Sequence, residues 1–306
     1  MPPQGGTVAA GAATISQSGS TTTVNQSTNK AIINWQSFSV AKTETVDFNQ
    51  PSSSSVTLNR VTGNESSIIA GAINANGQVF IVNSAGILFT GTSQVNVGGL
   101  VASTIDIPNQ DFLSGNYVFS GSSGNSVINK GSLTAAPGGY VSLMGKTVSN
   151  QGVITATLGT VALTSGSKIT LNFDGSSLFD VTIDQGVMNA LVENRQLIKV
   201  DGGKVILTAK AADAVLSGQV NNTGLIQART MASLIGGKAT YKTGSIKLKA
   251  AGGTTKVSGA LDASAPSGGD GGFIETSANT VKVADLRGVV GSQSRSLISR
   301  HPHCRC

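Results

Sequence analysis

The sequence predicts an all-β fold, a parallel β-helix in which short strands wind in successive laps around a narrow apolar core. Three observations support this prediction: a glycine-rich and charge-poor composition, a repeat of about 21 residues, and strands of about five residues between short turns. Of the 306 residues, 39 are glycine, 39% are hydrophobic and 12% are charged. A chain with this hydrophobic content can bury a core, so the composition does not indicate disorder.

Two short motifs repeat with the same period. The first reads Gly-x-β-branched-x-Leu, and its copies begin at Gly139, Gly159, Gly203 and Gly244. The second reads Asn-x-Gly-x-aliphatic-x-Ala, and its copies begin at Asn129, Asn150 and Asn222. Inward and outward residues alternate in each copy, as in a strand, and Gly or Asn tolerates the turn that opens it. The period leaves no room for a helical crossover, so it predicts laps stabilised by stacking rather than a βαβ sheet.

Two segments interrupt the repeat. Residues 169–184 form two alternating runs around Asp174-Gly175, a strong signal for a β-hairpin, which we expect to project from the coil. Residues 184–197 place Val187, Leu191 and Asn194 on one helical face, with Asp184 as the N-cap. A short helix is therefore predicted near the middle of the coil.

The two ends differ from the repeat. Trp35 and Phe38, within the first 45 residues, are predicted to form the core of an N-terminal cap over the open end of the solenoid. The repeat is lost after residue 285, and residues 286–306 are expected to be a non-native or disordered tail. This tail contains four candidate metal ligands, which are His301, His303, Cys304 and Cys306. No loop between them is long enough to fold around a tetrahedral ion, so no metal site is predicted.

Groups suited to catalysis are scarce. Both histidines and both cysteines lie in the tail. Asp174, Asp180 and Asp184 cluster in sequence, but turns and helix caps account for them. We therefore predict neither an enzyme nor a cofactor. A polysaccharide-cleaving β-helix is the enzymatic alternative, because such enzymes use surface aspartates.

A group of lysines follows the middle of the chain, at Lys238, Lys242, Lys247, Lys249 and Lys256. A solvated face explains them, and the alternative is a glycan-binding surface for heparin-like chains. The formal net charge is +6, of which the arginines of the tail contribute four. The small remaining excess does not indicate nucleic-acid binding.

Five strings in the first third of the chain carry a resemblance to a known family, at residues 32–38, 58–62, 76–80, 83–87 and 97–104. In this order they resemble the N-terminal secretion (TPS) domain of two-partner-secretion exoproteins, the family of filamentous haemagglutinin and the high-molecular-weight adhesins. The likeness covers residues 5–160 motif by motif, and residues 161–285 resemble further laps of the same domain.

The resemblance implies a right-handed, single-stranded β-helix with an N-terminal cap over residues 1–285. It also implies a partner, because family members are recognised in the periplasm by the POTRA domains of an outer-membrane pore of the TpsB type. The chain would pass through the pore unfolded and nucleate β-helix folding outside, where the full-length protein serves in adhesion to host-cell glycans or receptors. The expected location is secreted or on the cell surface, without membrane insertion, although residues 1–6 show no leader pattern.

The resemblance assigns partner recognition to the segment around residues 74–87. The family signature Asn-Pro-Asn-Gly-Ile stands here as Asn83-Ser84-Ala85-Gly86-Ile87, without the proline and the second asparagine. The candidate residues are Asn74, Asn76, Asn83, Gly86 and Ile87. Two interpretations stay open for them: turns and side-chain ladders between laps, or direct contact with the partner. For Trp35 and Phe38 the alternative to a cap core is a platform for a ligand.

Overall fold

The computed structural model describes residues 1–213, 218–236, 238–284 and 298–299. Nearly all regular elements are strands, and the helix α1 spans Asn109–Ser114. Ahead of this helix the strands are β1 (Thr7–Ala10), β2 (Ala13–Ser18), β3 (Thr21–Gln26), β4 (Lys30–Trp35), β5 (Thr45–Asn49), β6 (Val56–Val61), β7 (Ser67–Ile69), β8 (Ala72–Ala75), β9 (Gln78–Val82), β10 (Ile87–Phe89) and β11 (Gln94–Ser103). The next strands are β12 (Val118–Ser120), β13 (Ser126–Asn129), β14 (Ser132–Gly145), β15 (Thr147–Asn150), β16 (Val153–Thr155), β17 (Thr160–Ser165), β18 (Lys168–Asp174), β19 (Ser177–Gln185), β20 (Leu191–Asn194), β21 (Leu197–Lys199) and β22 (Lys204–Lys210). The last strands are β23 (Gly218–Asn222), β24 (Leu225–Gln227), β25 (Met231–Ile235), β26 (Lys238–Lys242), β27 (Ser245–Val257), β28 (Ala260–Asp262), β29 (Phe273–Val283) and β30 (Ile298–Ser299).

The strands stack lap on lap along three faces of a parallel β-helix. Face A contains β4, β6, β9, the second halves of β11 and β14, β17, β22, and the first halves of β27 and β29. Face B contains β7, β10, β13, β15, β20, β23 and the second halves of β27 and β29. Face C contains β3, β5, β8, the first halves of β11 and β14, β16, β21, β24 and β28. The predicted parallel β-helix is confirmed.

Columns of aliphatic side chains fill the interior. On face A each inward side chain lies beside its register partner in the next lap, in the order Val79, Leu100, Val141, Val161, Val205 and Ile246. All of them are fully buried. Alternate residues of a strand point to opposite sides, so one aliphatic residue in two is enough to build this core.

Glycines at the corner before face A allow successive laps to approach. A Cβ atom on Gly139, Gly159 or Gly203 would collide with the carbonyl oxygen of the corner glycine in the preceding lap, which is Gly98, Gly139 or Gly159 respectively. This close approach explains the glycine that opens the motif Gly-x-β-branched-x-Leu.

A second apolar core lies outside face A. The segment 104–125, which contains α1 and β12, and the antiparallel hairpin β18–β19 both pack against the outer side of this face. The ring of Phe80 on β9 lies 5.8 Å from that of Phe112 and 6.3 Å from that of Phe119. Every residue of β9 and β17 is therefore buried. The extra-helical hairpin is confirmed, but it lies flat on face A in the sheet β12–β18–β19 and does not project from the coil.

The prediction of a helix at residues 184–197 is wrong. Residue Asn189 has a positive φ of 55°, and the residues that follow it form β20 on face B. This strand pairs in parallel with β15 and with β23, so both neighbouring laps supply backbone hydrogen bonds. The stabilisation by these hydrogen bonds exceeds the local preference for a helix, which the sequence supported only by the spacing of Val187, Leu191 and Asn194. Neither α1 nor the hairpin β25–β26 was predicted, because both lie outside the repeat.

The first lap carries the predicted cap, which is confirmed. Strand β1 pairs antiparallel with β4, and β2 pairs antiparallel with β3, so these strands close the end of the coil. The rings of Trp35 and Phe38 lie beneath them with centroids 5.5 Å apart in an edge-on contact. The indole Nε1 of Trp35 donates to Oδ1 of Asn59 over 3.0 Å, so the ring's one polar group is satisfied in the interior.

Apart from β30, the tail of residues 286–306 lies outside the described residues, together with His301, His303, Cys304 and Cys306. The domain boundaries at residues 160 and 285 stay predictions.

Candidate partner-recognition site

The segment 74–87 crosses all three faces within one lap. It begins at the end of β8 on face C, continues through β9 on face A, and turns into β10 on face B. Its candidate residues therefore lie at the corners of the coil, where one face meets the next.

The side chain of Asn83 is completely buried and forms the turn between β9 and β10. Its Nδ2 donates to the carbonyl of Glu65 over 3.0 Å and to Oγ of Ser67 over 2.9 Å, while its Oδ1 accepts from the backbone N–H of Ala85 over 2.9 Å. The N–H of Gly86 donates to the carbonyl of Asn83, and Gly86 has a φ of 111°, which a side chain rarely tolerates. The amide of Asn83 is thus fully engaged within the protein.

The other three candidates also bond or pack against neighbouring laps. Nδ2 of Asn74 donates to Oδ1 of Asp47 over 2.9 Å. Asn76 exchanges two hydrogen bonds of 2.7 Å with the backbone of Gln50, one as donor and one as acceptor. The side chain of Ile87 is only 2% exposed and belongs to the interior core.

The exposed part of the turn is Ser84. Its carbonyl accepts hydrogen bonds from Oγ of Ser123 over 2.7 Å and from Nδ2 of Asn125 over 2.8 Å. The end of the segment 104–125 is therefore docked on the turn. Sequence reasoning missed Ser123 and Asn125, because they lie outside the repeat and no motif marks them.

Trp35 and Phe38 are each 1% exposed, so their rings face the interior of the cap and not solvent. The five lysines of the candidate glycan-binding group are distributed over three parts of the fold. Lys238 and Lys242 lie on the exposed hairpin β25–β26, Lys247 and Lys249 on face A, and Lys256 on face B beside Asn221.

The carboxylates of the hairpin do not converge. Asp174 lies at its tip, while Asp180 and Asp184 are four residues apart on β19, about 13 Å along the strand. Among the described residues no group of three or more His, Cys, Asp or Glu could hold a metal ion. Nor is any helix in that part of the chain long and apolar enough to cross a membrane.

Two ionisable groups, the buried Tyr140 and the half-buried Lys30, have structural partners. Burial raises the pKa of Tyr140 well above its usual value, and its hydroxyl donates to Oε1 of Gln78 over 2.6 Å. Burial lowers the pKa of Lys30, whose Nζ donates to the carbonyls of Phe112 and Leu113 at the end of α1. The first contact joins two strands of face A, and the second ties α1 to β4 on the same face.

These features define a capped β-solenoid whose candidate site residues bond one lap to the next. The sequence model of the TPS secretion domain matches residues 1–252 of the chain. The chain belongs to this family, the secretion domains of two-partner-secretion exoproteins.

Two curated relatives are similar to the chain, and both are heme/hemopexin-binding proteins of Haemophilus influenzae. The one from strain Rd is 34% identical over 228 residues, which are 70% of this chain and 24% of the relative. The second is 30% identical over 250 residues, 74% of this chain and 26% of the relative. The chain thus spans about a quarter of the length of these relatives.

A solved structure supports the fold. The crystal structure of the HMW1 secretion domain from Haemophilus influenzae matches with a TM-score of 0.64 at 24% identity, over 94% of this chain and 98% of that domain.

Proposed function

We propose that this domain is recognised by the periplasmic POTRA domains of an outer-membrane TpsB-type transporter and nucleates the folding of a larger exoprotein outside the cell. The observation that carries the proposal is the match of the TPS secretion domain to residues 1–252, in a chain whose first lap is capped. The cap covers one end of the solenoid, so laps can be added only toward the C-terminus.

Recognition involves the segment 74–87 before the chain folds. In an extended chain Asn83 and Ile87 are accessible, whereas in the folded domain both are buried. Binding of the partner to these residues therefore competes with folding. Folding outside the cell buries both residues and so removes the unfolded chain, which is the form that binds the partner. The binding equilibrium then shifts toward release of the chain.

Replacing Asn83 by Ala and measuring secretion with the transporter present tests this role. Asn129 is the matched control, because it is also fully buried and its Oδ1 also accepts a backbone N–H within a turn. We expect Asn83→Ala to reduce secretion several-fold, whereas Asn129→Ala lowers stability by a similar amount, about 1–3 kcal/mol, and retains secretion. Equal secretion of the two variants would refute a role of Asn83 in recognition.

We propose separately that the exoprotein served by this domain binds heme or hemopexin. The support is the similarity to two relatives that carry this name, over about a quarter of their length. Adhesion to host cells, expected from the family, is the competing activity. Retention of the full-length secreted protein on immobilised hemopexin, compared with its adhesion to host cells, discriminates the two.

A further inference from the structure

A furrow runs along the free edge of strand β19. Within the described residues, β19 pairs with β18 in the outer sheet, and its other edge faces β22 and β27 of face A. A cleft of about 520 Å³ lies beside residues 177–179, and a second cleft of about 320 Å³ lies beside residues 180–183. The two clefts share three walls, β19, β22 and β27, and together form the furrow.

Lysines line the furrow along its whole length, at Lys204, Lys210, Lys242, Lys247 and Lys249. Two of them cap the free edge. Nζ of Lys204 donates to the carbonyl of Phe179 over 2.8 Å, and Nζ of Lys210 donates to the carbonyls of Ile183 and Asp184 over 3.2 and 3.0 Å. Carbonyls that would pair with an added strand are therefore already engaged, which disfavours a peptide strand as the occupant.

Lys247 and Lys249 are free to bind a ligand. Within the described part of the chain their Nζ atoms have no hydrogen bond or ion pair, and both point to the same side of β27, about 6.6 Å apart along the strand. The carboxylates nearby are Asp174 and Asp180 in the clefts, Glu275 beside Lys247 in register, and Asp184, whose carbonyl accepts from Lys210. Five ammonium groups against four carboxylates leave a positive excess in the furrow, and it is concentrated at Lys247 and Lys249, which have no ion pair among the described residues.

An exposed aromatic ring lies in the same furrow. The side chain of Phe179 is 61% exposed, and Nζ of Lys204 lies 4.3 Å from its ring centroid. The ring of Phe179 can stack on a flat apolar face of a ligand, and the neighbouring lysines can bind an anionic substituent of the same ligand.

We propose that the furrow binds a linear, sulfated polysaccharide. Sulfate groups would contact Lys247, Lys249 and Lys242, and the face of a sugar ring would stack on Phe179. Lys204 and Lys210 stand at the two ends of β22, six residue steps or about 20 Å apart, which suits an extended chain rather than a single small anion. This inference rests on the proposed function: because the domain is proposed above to fold outside the cell, the furrow forms there, and its ligand is an extracellular polyanion. Only three of the five lysines singled out in the sequence take part, since Lys238 and Lys256 lie elsewhere.

The test is the affinity of the purified, folded domain for a heparin oligosaccharide at physiological ionic strength. The variant Lys247→Ala/Lys249→Ala is compared with Lys238→Ala/Lys256→Ala, which removes the same charge at other surfaces. We expect about tenfold weaker binding for the first and less than twofold for the second. Thermal unfolding of both variants serves as the folding check.

Phe179→Ala is expected to weaken heparin binding severalfold without changing its salt dependence, because it removes stacking but no charge. Equal losses in the two double variants, or no heparin binding by the wild type, would refute the furrow as the site. Single-stranded DNA that displaces heparin at equal concentration would refute a polysaccharide as its ligand. The assay needs no transporter, so its failure leaves the proposed secretion role untouched.

Discussion

Four buried asparagines form a hydrogen-bonded ladder at the corner between faces B and C. In chain order they are Asn129, Asn150, Asn194 and Asn222, and each Nδ2 donates to the next Oδ1 over 2.8 Å. All four are fully buried. A buried amide lowers stability unless its polar atoms are hydrogen-bonded. A continuous ladder therefore stabilises the stack, whereas a gap in it leaves buried amides without partners and destabilises the stack.

The substitution Asn150→Ala breaks this ladder in the middle. It removes the acceptor of Asn129 and the donor to Asn194. We expect the free energy of unfolding in urea to fall by about 1–3 kcal/mol. Asn49→Ala is the control, since Asn49 donates to Asn25 at the surface, and should cost less than about 0.5 kcal/mol. Equal losses of unfolding free energy in the two variants would show that the buried ladder stabilises the fold no more than a surface hydrogen bond does.

Tyr140 gives the fold a dependence on alkaline pH. Burial raises the pKa of its hydroxyl in the folded state, whereas the unfolded chain ionises at the ordinary value of 10.0. The unfolded state therefore releases its proton first, and the contribution of Tyr140 is complete below about pH 10 and lost as the pH rises above it.

We expect Tyr140→Phe to be less stable than the wild type at pH 7, because the oxygen of Gln78 loses its donor. The difference in the free energy of unfolding between the two proteins should narrow above pH 10, because only the wild type loses the contribution of Tyr140 there. Urea unfolding at a series of pH values measures it. Tyr241→Phe, at an exposed tyrosine, should leave the profile unchanged. A gap that stays constant with pH would contradict this account.

At the scale of elements, long polar side chains add to the second apolar core in holding the outer layer to the coil. Arg60 on β6 contacts three residues of the segment 104–125: its Nε donates to Asp106 over 2.9 Å, its Nη1 to Asn109 over 2.7 Å, and its Nη2 to the carbonyl of Ile107 over 2.6 Å. The arginine thus fixes the start of the segment that carries α1. The segment in turn covers the aromatic side of face A.

Replacing Arg60 by Met should loosen this segment without unwinding the coil. We expect a loss of about 2 kcal/mol and faster hydrogen exchange in α1, with β9 unchanged. Lys130→Met is the control, because Lys130 is exposed and its side chain has no hydrogen bond or ion pair within the described part of the chain, and it should cost below about 0.5 kcal/mol. Unchanged exchange in α1 would mean that the apolar contacts alone hold the segment.

At the scale of the whole molecule, the spacing between laps depends on the glycine corner before face A. A Cβ atom on Gly159 would collide with the backbone of Gly139 in the lap below. The laps form one continuous stack, so a displacement at one corner affects both neighbouring laps.

We expect Gly159→Ala to lower the free energy of unfolding by about 3 kcal/mol, as overpacking does in a close-packed interior. Gly124→Ala is the control, because nothing lies within 4 Å of the added Cβ there. Chemical denaturation of both variants measures the difference. A Gly159 variant as stable as the control would show that the corner can widen freely.

The candidate site was only partly predictable. The strings that contain Asn83 and Gly86 identified the turn, because a turn is a local structure with a local signature. That Ser123 and Asn125 dock on this turn could not be predicted, because about 40 residues separate them from Ser84. The furrow was hidden for the same reason, since Lys204 and Phe179 meet only after the hairpin folds back.

The sequence by itself determined the laps, the inward aliphatic positions and the glycine and asparagine columns. These features repeat once per lap, so each can be recognised from a short motif of neighbouring residues and from its spacing to the next copy. Only the tertiary structure decided that residues 191–194 form a strand, that the hairpin lies flat on face A, and which lysines share a surface. Each of these depends on contacts between residues distant in sequence, and the pairing energy of such contacts outweighs local propensity.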